Sequence, residues 1–532
     1  MSYLDNFWLH AQPVNMGGML RHAARKSPQK PAVICGDQVV SYEVLDRSTD
    51  ALALWLLREG LEIGDRVAIH WCNSVEVVTL FYACFKAGLI AVPLNNRLKA
   101  AEIAYILRHS KAKLCFSQSE LAPLCEEVRM QCADLEDIYT ELPQLDTSES
   151  DKFALPDITP DRVAAILYTS GTTARPKGVM HTHVSLIGGA EMMASLGVGE
   201  VDSLLAVTQL MHIGALSCVL LPGISCGKTV VLLPAFDAAQ SLDLIERWRC
   251  SYLFILPAML QFVVEEQGRN PRDVSSMRLC IAGGDTVPVA LQERFRDLFG
   301  ASVRELYGMT ETVPVTCIRE GAIRIGSVGP ALDIVETRVA DQAGNVLVDG
   351  QIGELQVQSP ANCVGYWDDP RATADTFDDG WLRTGDLVRR DPDKFFWFAG
   401  RVKQIIIRGG SNISPQEVEE VLYRHPAVLE AGVIGLPDPV YGEKVIAFVA
   451  LRDGFTAGEE ELRDLVRSVI ADYKTPERIV FLPVLPKGLT GKVQRRDLKT
   501  LALTSLEMGL AINSAAFPGG PCSAMLDGED RS

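Results

Sequence analysis

The sequence predicts an α/β protein whose body is a doubly wound, mostly parallel sheet layer, followed by a β subdomain and a small α+β domain. Three observations carry this. Between about residues 60 and 310, short β-branched apolar runs alternate with longer amphipathic stretches, the pattern of parallel strands joined by helices. From about 320 to 400, glycine, proline and short alternating strands take over. Past "AGRVKQIIIRGG" (399–410) the texture changes again, to a helix start, two apolar strands and a final helix and strand.

In order, "RVAIHW" (66–71), "KLCFSQ" (113–118), "RVAAILYTS" (162–170), "SLLAVTQL" (203–210), "TVVLLP" (229–234), "SYLFILP" (251–257) and "MRLCIAGG" (277–284) are expected strands. Between two of them, Asp237 is placed to cap a crossover helix that turns Ala238, Leu242, Ile245 and Trp248 to one face. In the last domain Ser414, Pro415 and Glu417 form a capping-box start for a helix carrying Val418, Val421 and Leu422. "AGVIGL" (431–436) and "KVIAFVAL" (444–451) follow as strands, then a final helix and strand. Beyond about 505 the chain is small, polar and Gly/Pro-bearing, and a flexible tail is expected for 506–532.

Bulk properties exclude several classes. A chain of 532 residues exceeds one core, so at least two domains are expected. Net charge is -17 from 51 basic and 68 acidic residues, with no Lys/Arg run dense enough for nucleic acid or an anionic membrane. A polyanionic ligand must then be met by local donors and a metal. The 13 cysteines, scattered from Cys35 to Cys522 without a CxxC pair or Cys/His cluster, fit reduced thiols in a cytoplasmic protein rather than disulfides or zinc. Neither a signal-like start nor an 18-residue apolar stretch occurs, so no transmembrane segment is expected.

Four stretches carry chemistry. "YTSGTTARPKGVM" (168–180) gathers the hydroxyls of Thr169, Ser170, Thr172 and Thr173, the freed backbone of Gly171, and Lys177. Such donors can surround phosphate oxygens. A polar surface turn is the plainer alternative, and Pro176 excludes a Walker A loop. In "ELYGMTET" (305–312), Tyr307 offers a flat face to a purine, Thr310 a hydroxyl to a phosphate and Glu311 a hard carboxylate to Mg²⁺; a strand end with a buried Tyr is the alternative. "GWLRTGD" (380–386) and "GRVKQ" (400–404) bring Asp386 and Arg401, suited to ribose hydroxyls and phosphate or else a plain surface ion pair. "LPKGLTGKVQRRDL" (485–498) presents Lys492 on a glycine turn, where an exposed loop lysine is the common case.

Taken in this order, the stretches resemble the motifs of adenylate-forming enzymes, the superfamily of acyl-CoA synthetases, amino-acid adenylation domains and beetle luciferases, and the likeness extends over nearly the whole chain before the tail. Within it the chain resembles the acyl-CoA synthetase, AMP-dependent synthetase and ligase branch. The resemblance implies an AMP-binding N-terminal domain (1–402) of two doubly wound, mostly parallel sheets plus a β subdomain, and a mobile α+β C-terminal domain (403–505). It implies that the phosphate loop, Tyr307, Gly308, Thr310, Asp386 and Arg401 hold ATP or AMP, with Gly284 and Asp285 of "AGGDTVP" (282–288) beside adenine. Asp285 either accepts from the adenine amino group or caps the helix opened at Pro288. Glu311 is the implied Mg²⁺ ligand, Lys492 the catalytic lysine, Lys403 the hinge, and Gly409–Gly410 the segment offered to coenzyme A. His212, Gly214, Gly283 and Met309 are the implied acyl-pocket residues, with His212 also guarding the route of the thiol. His181 and His183 look like helix-start residues without an assigned role.

This sequence departs from the family's pattern at Ala174, Lys394 and Gln404, where a glycine, a glycine and an acid are usual. No acid stands between Leu210 and Leu233, which disfavours a free amino acid as substrate. The implied function is therefore ATP- and Mg²⁺-dependent activation of an aliphatic or aryl carboxylic acid, then transfer to coenzyme A, in the manner of fatty-acid metabolism. Its partners would be small molecules and no nucleic acid, with a homodimer left open. Loading of a carrier-protein phosphopantetheine, luciferase-like oxygenation and a catalytically dead nucleotide-binding regulator are the rivals.

Overall fold

The computed structural model describes residues 15–147, 154–169, 176–285, 287–319, 321, 324, 326–408, 411–488 and 493–507. The chain divides into two compact units, one built from residues up to Thr384 with Arg389–Trp397, the other from Gly385–Val388 and from Phe398 onward.

Two large sheets organise the first unit. The eight-stranded sheet runs from edge to edge as Thr312–Cys317, Val303–Met309, Leu279–Gly283, Tyr252–Ile255, Ser203–Ala206, Thr229–Leu232, Pro31–Cys35 and Gln38–Ser41. Its six inner strands are parallel, and only the two edge strands are antiparallel to their neighbours. The six-stranded sheet runs Asp137–Tyr139, Leu114–Ser117, Arg66–His70, Ile90–Pro93, Val163–Thr169 and Lys177–Thr182, parallel except for its last pair. Parallel strands with helices on their faces bury both sides, which is why they read as continuous apolar runs. The expected strands form where the apolar runs lie, although Ser203–Ala206 stops well short of Leu210.

Crossover helices form for local reasons as well. Asp237 caps Ala238–Trp248 by accepting from the Gln240 N–H at 2.7 Å, while Leu242 and Ile245 are fully buried against Leu205, Leu253 and Phe295. Ser74 caps Val75–Ala87, whose end is closed by Gly88 in the left-handed conformation (φ 71°). The second core joins Ala68, Val92, Cys115 and Ile166 from the strands to Ile103, Leu107 and Cys125 from the helices.

The β subdomain is a five-stranded sheet of Glu336–Ala340, Ile352–Gln358, Trp381–Arg390 and Phe377–Asp378, with Phe396–Arg401 paired to Trp381–Arg390. In its turn Lys394 holds φ +70°, the left-handed region that a glycine occupies without cost.

The second unit is built on a long antiparallel hairpin, Val428–Asp438 with Gly442–Leu451. Its alternation sends Val433, Val445 and Ala447 into one core with Val418, Leu422 and Leu462, and Ile434, Ile446 and Phe448 into another with Leu498 and Ala502. The helix Pro415–Leu422 forms as expected, but its capping box does not: Ser414 makes no side-chain cap bond, and Glu417 instead pairs with Lys474 at 2.6 Å. The long lysine reaches the carboxylate from outside the helix and outcompetes a bond back to the first turn. Among the described residues all twelve cysteines are free, and no helix is long and apolar enough to cross a membrane.

Candidate active site

Two hairpins from different sheets build the site. In the first, Thr169 ends one strand and lies in register opposite Lys177, which begins the next. The connecting residues, with the expected phosphate-loop groups Ser170, Gly171, Thr172 and Thr173, lie outside the described residues. Gly178 is required there, because a Cβ would stand 2.8 Å from Ile166 Cγ2 and 3.2 Å from the Tyr168 ring. Tyr168 OH meets His109 Nδ1 at 2.8 Å, and Tyr105 OH donates to the Pro176 carbonyl at 3.0 Å, fixing both stems of the loop.

The second hairpin pairs Val303–Met309 with Thr312–Cys317 and turns at Thr310–Glu311. Its register slips between Tyr307 and Met309, a bulge centred on Gly308. A Cβ on Gly308 would lie 2.6 Å from Val313 Cγ2, so only glycine fits the crossing. Tyr307 is buried in the strand opposite Thr316, while Thr310 and Met309 remain half-buried at the tip.

The hairpins are tied together by side chains. Glu311 is buried and accepts at Oε1 from Tyr366 OH at 2.7 Å, and Lys177 Nζ stands 4.4 Å from the centre of the same Tyr366 ring. Burial and the Glu311 carboxylate both push the Tyr366 phenol up, so it stays a donor. His181 Nε2 donates to the Thr310 carbonyl at 2.7 Å, which leaves Nδ1 to accept from Ser185 Oγ at 3.0 Å. Burial holds this imidazole down to about 4, hence neutral. His181 is thus not a helix-start residue as the sequence had it; it lies on the strand Lys177–Thr182, and only His183 opens the helix. No local motif marks Tyr366 or His181, because their partners lie 55 and 129 residues away.

Beside these, Leu279–Gly283 ends at Gly284, whose φ of +91° turns the backbone sharply. The N-cap of the following helix is Pro288 itself rather than Asp285. Glu305 takes the Val287 N–H at 3.1 Å and the Gln292 amide at 2.8 Å, and burial pushes its carboxyl up to about 7. Gly283 and Gly214 both abut the buried Phe254 ring, where added Cβ atoms would stand 3.4 and 3.0 Å from it. The sequence reading missed Phe254 because it sits inside an ordinary strand. His212 is the N-cap of the helix that begins at Ile213; burial lowers its pKa, with Arg97 adding to the effect, and its Nε2 lies 3.5 Å from the Asn95 amide.

In the second unit Asp386 is buried and its Oδ1 meets Arg401 Nε at 2.9 Å, while the Arg401 side chain stays 46% exposed. Lys403 falls in the short helix Val402–Gln404, and Gln404 accepts from Arg495 at 3.0 Å, which also pairs with Glu419. Gly409, Gly410 and Lys492 lie outside the described residues; Lys487 and Val493 form an antiparallel bridge on either side of the last.

Among the described residues no three His, Cys, Asp or Glu side chains are grouped to hold a metal by themselves. A single buried carboxylate at the tip of the second hairpin, Glu311, fits the donor set of Mg²⁺, which takes one or two carboxylates and completes its shell with phosphate oxygens and water.

Comparison with known proteins gives the same picture over both units. The AMP-binding enzyme family matches residues 20–367 and the AMP-binding enzyme C-terminal domain residues 417–492. The fatty acid–[acyl-carrier-protein] ligase ScoC of Streptomyces coeruleorubidus is 34% identical over 495 residues, covering 90% of this chain and 94% of its own. The sulfoacetate–CoA ligase of Cupriavidus necator is 33% identical, covering 91% and 97%. The crystal structure of the anthranilate CoA ligase AuaEII in complex with anthranoyl-AMP superposes with a TM-score of 0.85 at 28% identity, over 93% of this chain and 99% of that one.

Proposed function

Because the chain belongs to the AMP-binding enzyme family, we propose that it is an AMP-forming acid–thiol ligase that activates an apolar aliphatic or aryl carboxylic acid with ATP and transfers the acyl group to coenzyme A. A carboxylate oxygen attacks the α-phosphorus, the bond to the bridging oxygen breaks and pyrophosphate leaves. The coenzyme A sulfur then attacks the acyl carbonyl and AMP leaves. The observation that carries this reading is the Lys177–Tyr366–Glu311 contact series, which aligns a cation, a locked phenol and a buried carboxylate at the tips of two hairpins.

Thr169, Lys177 and the loop 170–173 hold the phosphates in this reading, and Tyr307, Gly284 and Asp285 the adenine. Glu311 would hold Mg²⁺, which when bound offsets phosphate charge. Asp386 and Arg401 exchange their mutual ion pair for the ribose and phosphate. Lys492 spreads its charge over the entering and leaving oxygens; removal of such a donor costs about 3 to 4 kcal/mol in comparable oxyanion sites. Rotation about Lys403 then withdraws Lys492 and presents Gly409–Gly410 to the thiol. The acyl chain lies against Gly214, Gly283, Phe254 and Met309, with a neutral His212 at the thiol's entry. The absence of an acid between 210 and 233 supports a substrate without an ammonium group. Reduced cysteines support a cytoplasmic setting, and a homodimer is open to test by sedimentation.

A second reading has one specific support: the carrier-protein ligase relative, whose printed acceptor is an acyl-carrier protein. A panel of carboxylic acids with ATP, run with and without coenzyme A and read by mass spectrometry, separates the two. Coenzyme A thioesters support the first; adenylates that persist until a phosphopantetheinylated carrier is added support the second; no carboxylate-dependent pyrophosphate release across the panel overturns both.

A further inference from the structure

A second concentration of reactive groups lies in the first unit, away from the two hairpins. His70 and Ser117 end neighbouring parallel strands as register partners, and Cys115 shares the Ser117 face two residues earlier. Cys125 comes from the helix Ala122–Val128 that packs over them. Its Sγ stands 3.9 Å from Cys115 Sγ, 3.4 Å from His70 Nδ1 and 3.7 Å from Ser117 Oγ. All four side chains are buried, and His70 Nε2 has no hydrogen-bond partner.

A buried thiol in an apolar core is ordinarily inert. Here the Cys115 S–H aimed at Cys125, reinforced by His70, holds the Cys125 thiol well below its usual range despite burial, while Cys115 is pushed up. The pair is therefore polarised into a nucleophile and a resolving thiol. The residues directly after the two strands, Trp71, Cys72, Gln118 and Ser119, line a cleft of about 320 Å³.

We propose that Cys125 and Cys115 are a peroxide-sensitive dithiol, which hydrogen peroxide converts to an intramolecular disulfide between the strand Leu114–Ser117 and the helix Ala122–Val128. The Cys125 thiolate attacks one peroxide oxygen, an S–O bond forms and the O–O bond breaks, and His70 passes the thiol's proton to the departing hydroxide, giving water. Cys115 then attacks the Cys125 sulfur, the S–O bond breaks, and a second water leaves with the Cys115 proton. Two thiols lose two electrons and one peroxide becomes two waters. The sulfurs must close from 3.9 Å to about 2 Å.

The test is graded hydrogen peroxide on the full chain, followed by acid quench, alkylation, proteolysis and mass spectrometry. A Cys115–Cys125 linked peptide, lost on dithiothreitol treatment, is expected before the half-buried Cys35, Cys72 and Cys226 are oxidised. Cys115→Ser should stop at a Cys125 sulfenic acid that dimedone traps, and His70→Asn should slow its formation by about tenfold. If Cys115 and Cys125 remain alkylatable after the half-buried thiols have reacted, or if Cys125 pairs with Cys132 instead, the proposal is overturned. The wild-type peptide map decides even if a variant fails to fold.

Discussion

The phenol of Tyr366 hydrogen-bonds the buried Glu311 carboxylate at 2.7 Å and also meets the Thr376 side chain. Tyr366→Phe keeps the ring over Lys177 and deletes the hydroxyl, with its bonds to Glu311 and Thr376. A lost hydrogen bond to a charged group is worth about 1.5 to 3 kcal/mol, so pyrophosphate release should slow roughly 10- to 100-fold and need more Mg²⁺ for half-saturation. An unchanged Mg²⁺ requirement in the folded variant would place the metal elsewhere. His181 makes a different prediction. Its folded pKa of about 4 against an ordinary 6.5 means that the unfolded chain takes up a proton that the folded one refuses. Stability is then full above pH 6.5 and falls as pH drops toward 4, by about 3 kcal/mol in the limit. His181→Gln, which can still donate to Thr310, should flatten this part of the melting temperature's dependence on pH.

At the level of elements, the hairpin Val303–Met309 with Thr312–Cys317 depends on its bulge. Gly308→Ala would push a methyl into Val313, at a cost of about 1 to 3 kcal/mol, and shift Thr310 and Glu311 with it. Both a lower melting temperature and loss of adenylation are expected; retention of full activity would show that the tip moves independently of the strands. Elements were also where sequence and structure agreed most. The parallel strands and Asp237-capped helix were legible because periodicity and caps are local signals. Tyr366, His181, Phe254 and Glu305 were not, because each acts through a partner distant in sequence and carries no motif of its own. The capping box at Ser414 failed for the same reason, since Lys474 claims Glu417 from 57 residues away. Lys394 shows the converse: the missing glycine of the family pattern was correctly flagged, and the lysine takes the left-handed conformation regardless.

At the level of the whole molecule, the two half-reactions of the proposed function depend on different parts of the chain, Lys492 and Gly409–Gly410, with Lys403 as the hinge. Lys403→Pro restricts backbone rotation there. Single-turnover assays should show thioester formation slowed far more than adenylate formation, whereas Lys492→Ala should do the reverse. Equal loss in both steps for both variants would remove the two-position account.

The two hairpins are the antiparallel margins of two separately wound sheets, joined directly by His181 to Thr310 and through Tyr366, which meets both Glu311 and Lys177. In the proposed function a nucleotide seated across them would fasten both layers at once. At a hundredfold excess over its dissociation constant, bound ATP adds about 2.7 kcal/mol against unfolding. Withdrawing the nucleotide should therefore lower the melting temperature and raise susceptibility to added protease, and equal protection with and without ATP would refute this.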